Sequence, residues 1–255
     1  MSREYGVLHQ KRILEALTAE SLVLGEALGT ASADAPVPAC PGWSLGEVIR
    51  HVGSMYRMIR RWLLDGRRPD AWQSDPGEGQ SLAEYFAAAR LGLLEELSAH
   101  DPETHADTWW PADRTYGFWR RRMLHETLVH RADAQQAAGE ASPSIEEDLA
   151  IDGIDEALAL WFGQKLPMLG LAGTRTGSVG VLTGGHSWIA RAGPEELIAW
   201  RCSPEEAERA DDVVSGRPER VYLWLWGRAS PNAVSVHGSR DLAAQLWALL
   251  RLATR

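Results

Sequence analysis

A chain of 255 residues, 45% of them hydrophobic, can hold one large domain or two of ordinary size, and either would bury a substantial core. Its 35 acidic residues against 26 basic ones leave a net charge of -9, which speaks against a nucleic-acid partner or an anionic membrane and for a small-molecule ligand. Cys40 and Cys202 stand far apart in no paired motif, so neither a disulfide framework nor a cysteine-built zinc site is expected.

The N-terminus, Met-Ser-Arg-Glu-Tyr, has no apolar signal region, and no stretch reaches the roughly 18 apolar residues of a membrane span, so a cytoplasmic protein is expected. Residues 4–29 read as a first helix, with Leu14, Leu17, Leu24 and Leu28 at helical spacing. A loop with three prolines follows. Ser44 and Glu47 then make a capping box, with Trp43 placed to staple onto Val48, and fix the start of a second helix over 44–63. His51 falls on its apolar side with Val48, Val52, Met55, Ile59 and Trp62. Ser81 to Ser98 reads as a third helix. His100 and His105, in the loop beyond it, read as solvated.

Residues 119–133 contain no glycine or proline and read as one uninterrupted helix, ending near Gly139. Glu126 and His130 stack one turn apart on the face that carries Trp119 and Met123. The run Arg120-Arg121-Arg122 reads as a solvated face, and His125 as packed at a helix interface. Four one-faced helices predict a four-helix bundle. Residues 144–163 read as a fifth helix that joins two domains. Past Pro167 the period changes: Ser178–Thr183 and Ser187–Arg191 flank Gly184-Gly185 as a hairpin, and Leu197–Cys202 follows as a strand, with a short helix from Pro194 as the alternative. A helix from Pro218 stops at Gly227, Ala233–His237 reads as a short strand, and Leu242–Leu252 as the closing helix. The expected class is α+β in two domains: a helical bundle over 1–142, a connecting helix over 143–168, and a small α+β domain over 169–255.

A carboxylate turned into a core needs a partner, because desolvating it unpaired costs several kcal/mol. A metal ion held by His51, Glu126 and His130 would answer this; two histidines and a carboxylate give zinc three protein ligands and leave the fourth position open. A core histidine hydrogen-bonded to a carboxylate is the plainer alternative. Asp133, one turn beyond His130, could orient its imidazole or pair with an arginine. Arg228, after the helix-ending Gly227, is either a cation at a helix C-terminus or a fork for a substrate carboxylate.

In order along the chain, Cys40-Pro41-Gly42-Trp43 with His51, His125 to Asp133, Asp152-Gly153-Ile154-Asp155-Glu156, and Leu223 to Arg228 resemble the mycothiol-dependent maleylpyruvate isomerase family. The resemblance implies a DinB-like N-terminal bundle binding zinc or another divalent metal through His51, Glu126 and His130. It also implies mycothiol as thiol cosubstrate and a metal-bound thiolate that attacks a small electrophile, ending in cis-trans isomerisation or S-transfer. The residues after His51 and the Gly184-Gly185-His186 stretch depart from the family. A non-catalytic DinB-like metal-binding protein and a metal-dependent hydrolase are the rival expectations.

Overall fold

The computed structural model describes residues 8–140 and 143–253; the expected start of the first helix at 4–7 lies outside them. The chain divides into two compact units, one spanning His9–Pro143 and the other built from Ser144 onward. The first holds α1 (Gln10–Glu26, closing in a 3-10 turn, Ala27–Gly29), α2 (Leu45–Asp65), α3 (Leu82–Ser98) and α4 (Tyr116–Ala137). Capping boxes start two of these helices, Ser44 with Glu47 on α2 and Ser81 with Glu84 on α3.

At the centre of the bundle, α4 packs against α1, α2 and α3. It is buried nearly all round, so its sequence shows no single apolar stripe. This corrects the solvated reading of Arg120-Arg121-Arg122, since all three are under a tenth exposed. The Arg120 guanidinium donates to the carbonyls of Leu97 and His100, filling acceptors left open at the end of α3. Arg131 pairs with Glu20 of α1. His100 is exposed at the α3 terminus, stacked on Tyr116, and His105 is exposed in the loop that follows.

The second unit begins with α5 (Glu147–Asp155), which runs on as a π-helical stretch, Glu156–Lys165, into a last turn, α6 (Leu166–Met168). The expected connector is therefore an integral part of this unit, packed on its sheet and on later helices. Gly163 allows this, because a Cβ there would stand 3.3 Å from the Ala199 backbone nitrogen. The sheet has the order β3-β2-β1-β4-β5, with β1 (Gly177–Thr183), β2 (His186–Ala192), β3 (Leu197–Arg201), β4 (Asp212–Ser215) and β5 (Ser235–Gly238). Strands β1 and β4 pair in parallel and the other neighbours antiparallel. Gly184 and Gly185, both at positive φ, make the two-residue turn of the β1–β2 hairpin.

Helices α7 (Pro204–Ala207), α8 (Pro218–Leu225) and α9 (Asp241–Ala253), with a 3-10 turn at Pro231–Ala233, complete the unit. At the end of α8 the Gly227 N–H bonds the Trp224 carbonyl and the Arg228 N–H the Leu223 carbonyl, a Schellman closure with Gly227 at φ 71°. Asp155 ties the helix to the sheet, accepting from Trp188 Nε1 at 3.0 Å and Arg201 Nε at 2.7 Å. Among the described residues no helix is long and apolar enough to cross a membrane.

Candidate metal centre

The bundle brings His51, Glu126 and His130 together. The capping box sets the register of α2 and puts His51 in its second turn, while Glu126 and His130 sit one turn apart on α4. Tyr56 and Thr127 fix one helix against the other, their hydroxyls 2.5 Å apart, with Thr127 donating in turn to the Met123 carbonyl. Glu126 Oε1 then lies 3.1 Å from His51 Nε2 and 3.4 Å from His130 Nε2. All three ligand atoms fall within 4.8 Å of one another.

The 3.4 Å separation suits a shared ion, while the 3.1 Å one is an ordinary hydrogen-bond length. Ligands held tetrahedrally at about 2.0–2.2 Å from zinc stand roughly 3.3–3.6 Å apart. The 3.4 Å contact is longer than the roughly 2.7–3.2 Å of ordinary N–H···O bonds. Both histidines also offer the same type of atom, Nε2, to one carboxylate oxygen.

The surroundings fix the donors. His130 Nδ1 lies 2.9 Å from Asp133 Oδ2, and with the carboxylate as acceptor Nδ1 carries a proton while Nε2 faces Glu126 Oε1. Cys40 Sγ reaches the same Asp133 oxygen at 3.7 Å. The Arg122 guanidinium donates to the second oxygen of Glu126 at 2.5 Å. Neither Arg122 nor Cys40 is singled out by the sequence reading as part of the site. The signal for Arg122 is its place four residues before Glu126, one turn away on the same helix.

Burial alone would raise the Glu126 carboxyl, but hydrogen bonds from His130 and His51, with the Arg122 charge, hold it well below the usual carboxylate range. Burial would lower the His130 imidazole, yet its bonds to Asp133 and Glu126 push it up to about 9. The cluster thus sets two carboxylates, Glu126 and Asp133, against the Arg122 guanidinium and the His130 imidazolium. A metal ion held by these residues would take the place of the proton on His130 Nε2.

Two tryptophans flank the histidines. Trp43 does more than staple the start of α2: its ring lies parallel to His130 at 6.4 Å and edge-on to His51 at 5.1 Å. Trp72, from the long α2–α3 loop, meets His51 edge-on at 5.4 Å. That loop is pinned two residues on, where Ser74 bonds both Ser54 of α2 and Tyr85 of α3. His125 is fully buried and stands outside the cluster. Arg228, in the other unit, donates to the Trp226 carbonyl at 2.8 Å.

Residues 14–135 match the family model described as the mycothiol maleylpyruvate isomerase N-terminal domain. The bundle belongs to this domain family. The match covers all three clustered residues and ends within α4. Two solved structures share the fold over both units of the chain. One, titled the crystal structure of the mycothiol-dependent maleylpyruvate isomerase, aligns at 13% identity with a TM-score of 0.59, covering 90% of this chain and 93% of the other. The second is a histidine-to-alanine mutant of an enzyme of the same title, at 11% identity with the same TM-score and coverage. No curated protein matches the chain in sequence.

Proposed function

We propose that the chain is a metal-dependent enzyme that uses mycothiol against a small electrophilic substrate, as a cis-trans isomerase or an S-transferase. The observation that carries this reading is the convergence of His51 Nε2, His130 Nε2 and Glu126 Oε1 as three donors. Zinc or another divalent ion held there supplies a Lewis acid with an open position, at which a thiol can be held as its nucleophilic thiolate. The chain's own residues do the rest. Asp133 holds the His130 tautomer, and Arg122 holds the second oxygen of Glu126. Trp43 and Trp72 present aromatic walls beside the histidines. Arg228 is assigned a binding role for a carboxylate of substrate or thiol, through the fork geometry of its guanidinium.

Mycothiol and the isomerase chemistry come to this reading from the domain family and from the printed titles of the two structures. A purely structural zinc site is normally closed by four protein ligands. The cluster among the described residues has three, which favours a site that takes an outside ligand over a bundle clip. A metal-dependent hydrolase would use the same open position for water.

Cobalt substitution separates these readings. The Co²⁺ protein is expected to bind about one ion per chain and to change its visible spectrum when mycothiol is added. The double variant His51→Ala, His130→Ala should bind none. A spectrum indifferent to mycothiol, with esters or amides hydrolysed instead, would transfer the site to the hydrolase reading. In steady-state assays with maleylpyruvate and mycothiol, Arg228→Ala should keep its metal and raise the Michaelis constant. Unchanged kinetics would leave Arg228 as a helix-end cation.

A further inference from the structure

We infer that Arg122 is a positioning residue that makes Glu126 a one-oxygen ligand and so keeps a coordination position free for the thiol. The inference rests on the metal reading given above. Three observations carry it. Arg122 is 3% exposed, so its charge has been taken out of water and needs a partner that stays ionised. It donates to Glu126 Oε2 at 2.5 Å, whereas both histidine nitrogens face the other oxygen, Oε1. Arginine and glutamate lie four residues apart on α4, so the helix itself sets their separation.

A carboxylate can bind a metal through one oxygen or through both. With Oε2 engaged by the guanidinium, only Oε1 is presented to the two imidazoles. Without Arg122, Oε2 would be released inside a cluster that is 11–15% exposed at its three side chains, with little water to take the arginine's place. A metal held by Oε1 would then be open to Oε2 as well. Two-oxygen binding would occupy the position a thiol needs. The sequence hides this role, because three consecutive arginines read as a solvated face.

The test compares the unaltered protein with Arg122→Met, both loaded with Co²⁺, using N-acetylcysteine as the thiol probe. Binding of Co²⁺ by the unaltered protein tests the metal reading by itself; if no ion is taken up, that reading and this inference both fall. Given uptake, Arg122→Met should hold the ion in a site of higher coordination number, seen as weaker visible d–d bands. Its affinity for N-acetylcysteine should drop roughly tenfold or more, the scale typical of lost outer-shell partners. Arg122→Lys, which can still donate to Oε2, should recover part of both. An Arg122→Met protein with the d–d bands and thiol affinity of the unaltered protein would overturn the inference. If Met at a buried site prevents folding, Arg122→Gln carries the same test, since its amide stays polar but has no charge with which to hold Oε2; unchanged bands there would count equally against it.

Discussion

Single residues decide whether the cluster is a ligand set or a charge network, and Asp133 is the clearest case. Its carboxylate is fully buried and accepts from His130 Nδ1 at 2.9 Å, which fixes the ring's tautomer and leaves Nε2 as the donor atom. Asp133→Ala should cut zinc affinity by about 10- to 100-fold, as expected for loss of a carboxylate behind a ligating histidine. Competition with a chromophoric chelator measures it, and an affinity within error of the unaltered protein would show that the bond does not serve the metal. The three ligand candidates were legible because helical periodicity puts them on inward faces. What lies around them was less so. The contacts from Trp43 and Trp72 depend on loops, whose course no periodicity encodes. Arg122 stays hidden, because an arginine looks solvated in sequence until its buried partner is known.

At the level of elements, helices with capping boxes and the glycine turn of the hairpin could be read nearly to the residue. Strand β4 could not. Its four residues begin with Asp212, which looks like part of a polar turn with Asp211 but is fully buried at the N-terminus of α9. There it accepts from the backbone N–H groups of Arg240, Leu242 and Ala243 and from the Ser239 hydroxyl. A carboxylate brought from a strand thus does the work of a helix cap, favoured also by the helix dipole. Burial opposes the charge, but these hydrogen bonds prevail and hold the Asp212 carboxyl below its ordinary range. A group lowered in this way stabilises the fold above its unfolded pKa of about 3.9, and that stabilisation fades as pH falls through the lower folded value. Asp212→Ala should cost about 2 kcal/mol or more at neutral pH, because orphaned buried donors add to the lost cap. The difference from the unaltered protein should shrink only in strongly acid solution. Urea titrations across pH check this, and a gap independent of acidity would remove the charge from the explanation. The π-helical stretch 156–165 was likewise invisible, since its composition is that of any buried helix.

For the whole molecule, the two units raise the question of what a metal contributes to stability as distinct from chemistry. Small zinc domains are unfolded without their ion, because they have too little core to fold alone. The helical unit differs. It buries Trp119, Tyr56, Tyr85, Phe86 and a set of leucines, and its site is charge-balanced even without metal, through Arg122 and the imidazolium of His130. The chelated protein should therefore keep its helical circular dichroism. A metal held at the proposed site would bind the folded bundle in preference to the unfolded chain, joining His51 to Glu126, 75 residues away in sequence. Linkage puts the gain at about 2.7 kcal/mol when free zinc stands at a hundred times its dissociation constant. That gain should be local. Amide hydrogen exchange should slow in α2 and α4 on adding zinc, while the amides of β1, β2 and β4 in the other unit keep their rates. Loss of helical dichroism on chelation would make the ion a folding clip rather than a reagent. Uniform slowing across both units would show that the ion stabilises the molecule as one cooperative body.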